Sequence, residues 1–430
     1  MSKAGLRDLP WFFPLRQSFE SRPVDDVPRR VVGAIGKSCF ASRLKRGQSV
    51  AIAVGSRGVA ELQSVVAAVV DFVHAAGGKA KVVPAMGSHG GATAEGQTRL
   101  LASLGIEEST VGCPIDASMD TVIVDTNKSG LAIHFDRIAS ESDHLVMINR
   151  IKPHTRLSGR YESGLVKMLL IGLGNHRGAA TYHQAFGDHD YCLDPLARDI
   201  VPRILDAMPI SLGIGIVEDA LGRVSHVEVV SPDRMLEVEP ELLRMARSQM
   251  PMLPFNDVDL LIIDEIGKEI SGTGMDTNVV GRKTNDRVAA RDEYPKVRQI
   301  YVRGLTANTD GNATGIGMAE YCHRNVIESI DYAKTRVNCL TSAHPSAGAV
   351  PISFDCDREL LTACLSQSGL RNRKELRWLW IRSTLDLSEV MCSEAYWTAA
   401  EADARLVPLE IPAPLRFDSV GDLIVSNRIR

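Results

Sequence analysis

Between Asn149 and His183 the chain runs N-R-I-K-P-H-T-R-L-S-G-R-Y-E-S-G-L-V-K-M-L-L-I-G-L-G-N-H-R-G-A-A-T-Y-H. His154, His176 and His183, with Lys152 and Lys167, are set among apolar residues and glycines. Imidazole titrates near neutrality and suits proton transfer or metal ligation. Lys167 lies in S-G-L-V-K-M-L-L-I, where an amine either snorkels to solvent or has its charge disfavoured and becomes available for covalent chemistry. The stretch therefore reads as a cofactor anchor with one half of an acid–base pair.

Two other loops supply partners. G-S-H-G-G-A-T (87–93) carries His89 between small residues that let a ligand approach the backbone. Its plainer reading is a histidine bonded to its own turn. G-S-R-G (55–58) sets Ser56 and Arg57 before a helix, where backbone N–H groups attract anions and an arginine grips a carboxylate or phosphate. Its plainer reading is a structural turn with a surface arginine. The sequence has neither G-x-G-x-x-G nor a Walker lysine there.

These loops need a sheet to hold them. S-V-A-I-A-V (49–54), the helical spacing of 59–78 with its glycine stop, and the stretch 79–91, a strand feeding a Gly-rich loop, form a βαβ unit, whose parallel strands align their C-terminal loops along one edge. The pattern predicts a helix at 94–105, strands at 121–125 and 144–149, a helix near 194–208, strands at 211–219 and 226–230, and a charged helix at 234–250. After the Pro-punctuated joint 250–259 come strands at 259–267 and 298–305, a Gly-rich approach to a helix at 310–321, and a strand at 378–384. Residues 1–30 read as an irregular arm, and Arg371–Arg377 as the solvated face of a helix. The fold class expected is α/β: two α/β domains (1–255 and 256–430) with mostly parallel sheets and an active-site cleft between them.

Composition narrows the function. The 430 residues exceed one ordinary core, and a net charge of −4 gives no electrostatic case for nucleic acid or a membrane surface. No run of eighteen apolar residues and no signal-peptide pattern occurs, and eight dispersed cysteines without C-x-x-C predict reduced thiols in a cytoplasmic protein.

In order along the chain, these motifs resemble the nickel-pincer-dependent lactate racemase family and its 2-hydroxyacid racemase and epimerase relatives. S-R (56–57) is similar to that family's T-R anion loop, G-S-H-G-G-A-T-A-E (87–95) to its first histidine loop, and P-H (153–154) to its second. S-G-L-V-K (163–167) resembles S-G-G-x-K, Ile171–Gly172 a Pro–Gly pair, and S-G-T-G-M-D (271–276) a G-G-x-P-x-D loop. The resemblance implies His89 and His154 as acid–base residues, one per enantiomer, Lys167 as the covalent tether of a nickel pyridinium-3,5-bisthiocarboxylic acid mononucleotide (the nickel-pincer nucleotide), and His183 as nickel ligand. It further implies Ser56 and Arg57 at the cofactor, and Arg57, Lys283 and Asp276 at a small-molecule 2-hydroxyacid. Enzymes of cofactor biosynthesis are the implied partners; the sequence sets no oligomeric state. Val54 and Gly58 replace an aspartate and a proline of the family, three extra residues separate His154 from Lys167, and Arg282 and Lys283 sit one or two positions off the substrate lysine. These departures point away from lactate itself. The competing reading is a nucleotide- or sugar-phosphate-binding α/β protein that carries no nickel. His176 and His189 are the substitutes for His183, and D-H-D (188–190) imitates a metal triplet. His74 ends a helix, His134 and His226 sit in strand-like runs, and His323 and His344 offer no partners in the sequence.

Overall fold

The computed structural model describes residues 9–187, 189–368 and 372–424, without the side chains of His183 and Gln184. The chain divides at Met250/Pro251, and the leading segment through Phe19 groups with the part after the division. The arm expected at 1–30 is thus corrected: Phe12–Gln17 is a strand, β1, and Val27–Ile35 is a helix capped by Asp26. Phe12, Phe13 and Leu15 are buried, so an apolar aromatic run here forms a sheet strand rather than a surface arm.

The unit from Glu20 to Met250 is built on β2 (Ser49–Val54), β3 (Lys79–Pro84), β6 (His144–Arg150), β7 (Ile210–Glu218) and β8 (Val224–Val230), in the order β3-β2-β6-β7-β8. The first four are parallel and β8 is antiparallel. The strand expected at 121–125 exists as β4 (Thr121–Thr126), but among the described residues it pairs with β5 (Ala132–Asp136) alone, in a separate ladder. Its residues are only partly buried, which a central strand covered on both faces does not allow.

Successive residues of β2 serve opposite cores. Val50, Ile52 and Val54 pack with helix Leu62–Ala75, whose valines recur at helical spacing. Ala51 and Ala53 face the second core, which contains Leu165, Val166 and Met168 through Ile171. Burying each such valine or isoleucine contributes about 1.5–3 kcal/mol. Two cores on one sheet fix its register: Val54 lies opposite Pro84 on one side and Ile148 on the other. The loops that leave these three strands therefore start at one level on one edge.

The other unit holds an eight-stranded sheet in the order β12-β11-β10-β9-β13-β14-β1-β15. Its strands are β9 (Asp257–Ile263), β10 (Lys296–Val302), β11 (Tyr321–His323), β12 (Ile352–Phe354), β13 (Trp378–Ile381), β14 (Glu389–Ser393) and β15 (Leu406–Pro408), besides β1. From β12 to β13 neighbours are parallel; β14, β1 and β15 extend the sheet antiparallel. The 310–321 segment leads into strand β11 rather than a helix; the helix follows at Arg324–Ser329. Of the expected helix at 371–377, Arg371 lies outside the described residues and Arg373–Glu375 is a single 3-10 turn. Arg373 there is spent on Trp11, 4.6 Å from its ring, and on Glu394.

Candidate active site

Four groups singled out in the sequence leave from the carboxyl edge of the parallel sheet, where ligand sites of such sheets lie. Ser56 and Arg57 follow β2, His89 follows β3 and His154 follows β6. His89 Nδ1 is hydrogen-bonded to Ser56 Oγ, so two loops far apart in sequence meet. His89 and Arg57 are exposed; Ser56, His154 and Lys167 are half-buried. The helix after β2 begins only at Leu62, behind Glu61, so Ser56 and Arg57 do not stand at a helix N-terminus as expected. Arg57 therefore presents its guanidinium there without helix N-terminal N–H groups beside it.

The His89 loop is held from below. Thr93 caps helix Ala94–Ser103, accepting from Gly96 N–H at 3.0 Å, a contact worth about 1 kcal/mol. A Cβ on Gly96 would stand 1.7 Å from the Gly90 carbonyl oxygen, so only glycine permits this approach. Gln97, fully buried, donates to the carbonyls of Gly87 and His89 at 3.0 and 3.4 Å.

His154 sits in a tighter frame. Its backbone N–H donates to Glu162 Oε2 at 2.6 Å, and its ring Nδ1 accepts from the N–H groups of Arg156 and Leu157 at 3.0 Å each. A ring nitrogen that accepts twice carries no proton, which leaves the proton of the neutral imidazole on Nε2. Glu162 is itself buried and paired with Arg247 at 2.5 Å.

Lys167 ends the short helix Leu165–Lys167, and a π-turn, Met168–Gly172, begins at the next residue. Such turns are rare and concentrate at functional sites. Gly87 N–H donates to the Gly172 carbonyl at 3.0 Å, tying this turn to the His89 loop. Burial, with the positive charges of Arg57 and Lys152, lowers the Lys167 amine from 10.5 to about 8. Roughly a quarter of it is then neutral at pH 7.5, against about 0.1% for an ordinary lysine. Arg57 and Lys152 thus sit within electrostatic reach of Lys167. Arg150, at the end of β6, is ion-paired with Glu218 at the end of β7.

His183 lies on helix Asn175–Gly187, but its side chain is outside the described residues, as is Asp188 of the D-H-D triplet. His176 is exposed, and so is Asp190. In the other unit Asp276 caps helix Thr277–Val280, accepting from Asn278 N–H at 2.9 Å. Lys283 is half-buried and its N–H donates to Glu293 at 2.6 Å. Arg282 is fully buried on Glu320 and on the carbonyls of Asp286, Val297 and Arg298, a structural post.

The sequence reading missed three groups: Asn149, Glu162 and Glu239. Asn149 Nδ2 donates to the Gly164 carbonyl at 2.7 Å, and Glu239 Oε2 accepts from Val166 N–H at 2.8 Å. The one signal was their place at a strand end or inside apolar spacing. His323 and His344, without partners in sequence, meet Asp422 at 3.1 Å and Asp286 at 2.8 Å. Among the described residues the one metal-like group is His323, Asp357 and Asp422. Arg303 and Tyr301 already occupy Asp357, which makes this an ion-pair network.

A family model for the lactate racemase N-terminal domain matches residues 19–192. Ser56, Arg57, His89, His154 and Lys167 all fall within the matched residues. Among solved structures, the lactate racemase apoprotein from Thermoanaerobacterium thermosaccharolyticum is similar with a TM-score of 0.53 and 13% identity, covering 83% of this chain and 91% of its own. The crystal structure of a Thermotoga maritima protein gives 0.51 and 15%, covering 77% and 84%. At these identities the likeness is one of fold. No curated protein matches the sequence. No helix among the described residues is long and apolar enough to cross a membrane.

Proposed function

We propose that the protein is an isomerase that inverts the hydroxyl-bearing α-carbon of a 2-hydroxyacid. The observation that carries this reading is Lys167: an amine near neutrality, flanked by Arg57 and Lys152, within the residues that match the lactate racemase N-terminal domain. The nickel-pincer mononucleotide implied by the sequence resemblance fits these donors. Lys167 would tether it, Arg57 would face its phosphate or the substrate carboxylate, and His183 would ligate the nickel, an ion that imidazole suits. When bound, that group supplies a hydride acceptor beside the α-carbon.

The chain's own residues then manage the proton and the position of the substrate. His89, with Ser56 on Nδ1, takes the hydroxyl proton as the α-hydrogen leaves, and returns it on the way back. His154 offers an N–H from Nε2 to the substrate oxygen while its turn is intact. To serve as the base for the opposite enantiomer, the ring must give up one or both backbone bonds. The buried frame beneath both loops keeps them in place between turnovers.

The test is to co-express the protein with cofactor-making enzymes and incubate it with single enantiomers of short, aromatic and sugar-derived 2-hydroxyacids. Scrambling of one class supports the reading; retention of configuration across the panel with cofactor bound refutes it. The same cations would also hold a plain phosphate, which favours a second reading, nucleotide or sugar-phosphate binding without nickel. Intact mass decides between them: an adduct on Lys167 excludes the second, and its absence after co-expression favours it.

A further inference from the structure

Glu239 lies in the middle of helix Met235–Ser248 and is 1% exposed. Leaving a carboxyl group in an apolar interior costs several kcal/mol unless something uses it. Oε2 accepts the Val166 N–H at 2.8 Å, and Leu165 N–H also supports the carboxylate. Among the described residues Oε1 has no hydrogen-bond partner. The contact is built on the other side too: a Cβ at residue 164 would stand 2.6 Å from the Glu239 carboxyl carbon, so Gly164 is what lets the carboxyl reach the turn. The Gly164 carbonyl is meanwhile held by Asn149 at 2.7 Å. The start of the turn is therefore gripped from two sides, one residue before the reactive amine.

From these contacts we infer that Glu239 is a positioning residue for Lys167: its carboxyl oxygen receives the otherwise orphaned N–H at the start of the turn and so fixes where the lysine amine points. The inference rests on the reading of Lys167 as the amine that attaches the cofactor. The first N–H groups of a helical turn have no partner within it, and here the turn is too short and too buried for water to serve. Beyond Lys167 the π-turn continues to Gly172, whose carbonyl receives Gly87 N–H from the His89 loop. A turn that slips at Val166 moves the amine and loosens that contact as well. What matters is an acceptor at the right reach, not a charge.

Three variants separate these possibilities. Glu239→Gln keeps an acceptor at the same distance, Glu239→Asp keeps the charge but withdraws the acceptor by one methylene, and Glu239→Leu removes both. Two measurements are made on the full chain. One is competitive labelling of Lys167 by acetic anhydride across pH, read by peptide mass; the other is the fraction of Lys167 carrying the adduct after co-expression. Glu239→Gln should label with a midpoint within about half a unit of wild type and retain most of the adduct. Glu239→Asp and Glu239→Leu should lose about tenfold in adduct and shift the labelling midpoint toward that of an ordinary lysine. If Glu239→Leu does not fold, Glu239→Asp carries the comparison. The inference is overturned if Glu239→Asp labels and loads like wild type, or if Glu239→Gln fails as Glu239→Asp does. Should wild type itself carry no adduct, the functional reading fails, while the labelling midpoints still decide the role of Glu239.

Discussion

His154 Nδ1 accepts two backbone N–H groups, whereas His89 Nδ1 meets a hydroxyl, which can donate or accept. The serine lets His89 exchange tautomers without losing a hydrogen bond; the turn denies this to His154. Replacing each ring by a group that donates but cannot act as a base should therefore separate them. His89→Gln is expected to lower kcat by about 10²–10⁴, the usual worth of a positioned acid–base group, while His154→Gln costs less, about tenfold. Measuring kcat for both enantiomers checks this, and equal losses would return His154 to the role of a second base. Nitrogen NMR of the labelled histidines gives the same answer without turnover: the His154 signals should report a proton on Nε2. Lys167→Arg should abolish the adduct outright, because a guanidinium stays protonated at every accessible pH.

Helix Met235–Ser248 reads in sequence as a charged helix, yet one of its carboxylates, Glu239, is buried, and its exposed Arg247 reaches a buried partner. Glu239 grips the Lys167 turn, and Arg247 holds Glu162, which in turn receives the His154 N–H. One helix thus braces both loops. Its buried carboxyl also makes stability depend on pH. Burial raises Glu239 from 4.5 to about 7, so between those values the folded chain holds a proton that the unfolded chain has released. Stability then falls as pH rises from about 4.5 to about 7, by at most about 3 kcal/mol. Lys167 acts with the opposite sign. With its pKa lowered to about 8 in the fold, the unfolded chain binds the extra proton, and stability rises with pH from about 8 to 10.5. Urea unfolding followed across pH should show both limbs, with Glu239→Gln flattening the lower and Lys167→Met the upper.

At the scale of the whole molecule, the chain crosses from one unit to the other early, since β1 belongs to the sheet formed otherwise by residues after 250. It lies between β14 and β15 and contributes Phe13, which packs edge-on against Trp397 at 4.9 Å. Phe13→Ala should cost about 3–5 kcal/mol, as large-to-small changes in a core do. Hydrogen exchange should rise in β14 and β15 and stay unchanged in β2; faster exchange in β2 would contradict the division. The opening residues are thus structural to the C-terminal unit, although the catalytic groups proposed above lie between residues 56 and 183.

Periodicity alone was enough for β2, β3, β6, β7 and the helices beside them, because a buried parallel strand and an amphipathic helix each impose a local pattern of apolar residues. The order of His89, His154, Lys167 and His183 along the chain was likewise legible, since motif spacing is a property of the sequence. The partnership of Ser56 with His89 was not, nor was the tautomer set by Arg156 and Leu157 N–H, nor the reach of Glu239 through Gly164. Those contacts join residues 33 and 73 positions apart or depend on backbone N–H groups, and no local pattern encodes them. The placement of β1 failed in the same way: a strand's own residues state that it is a strand, and only the packed sheet decides which neighbours it takes.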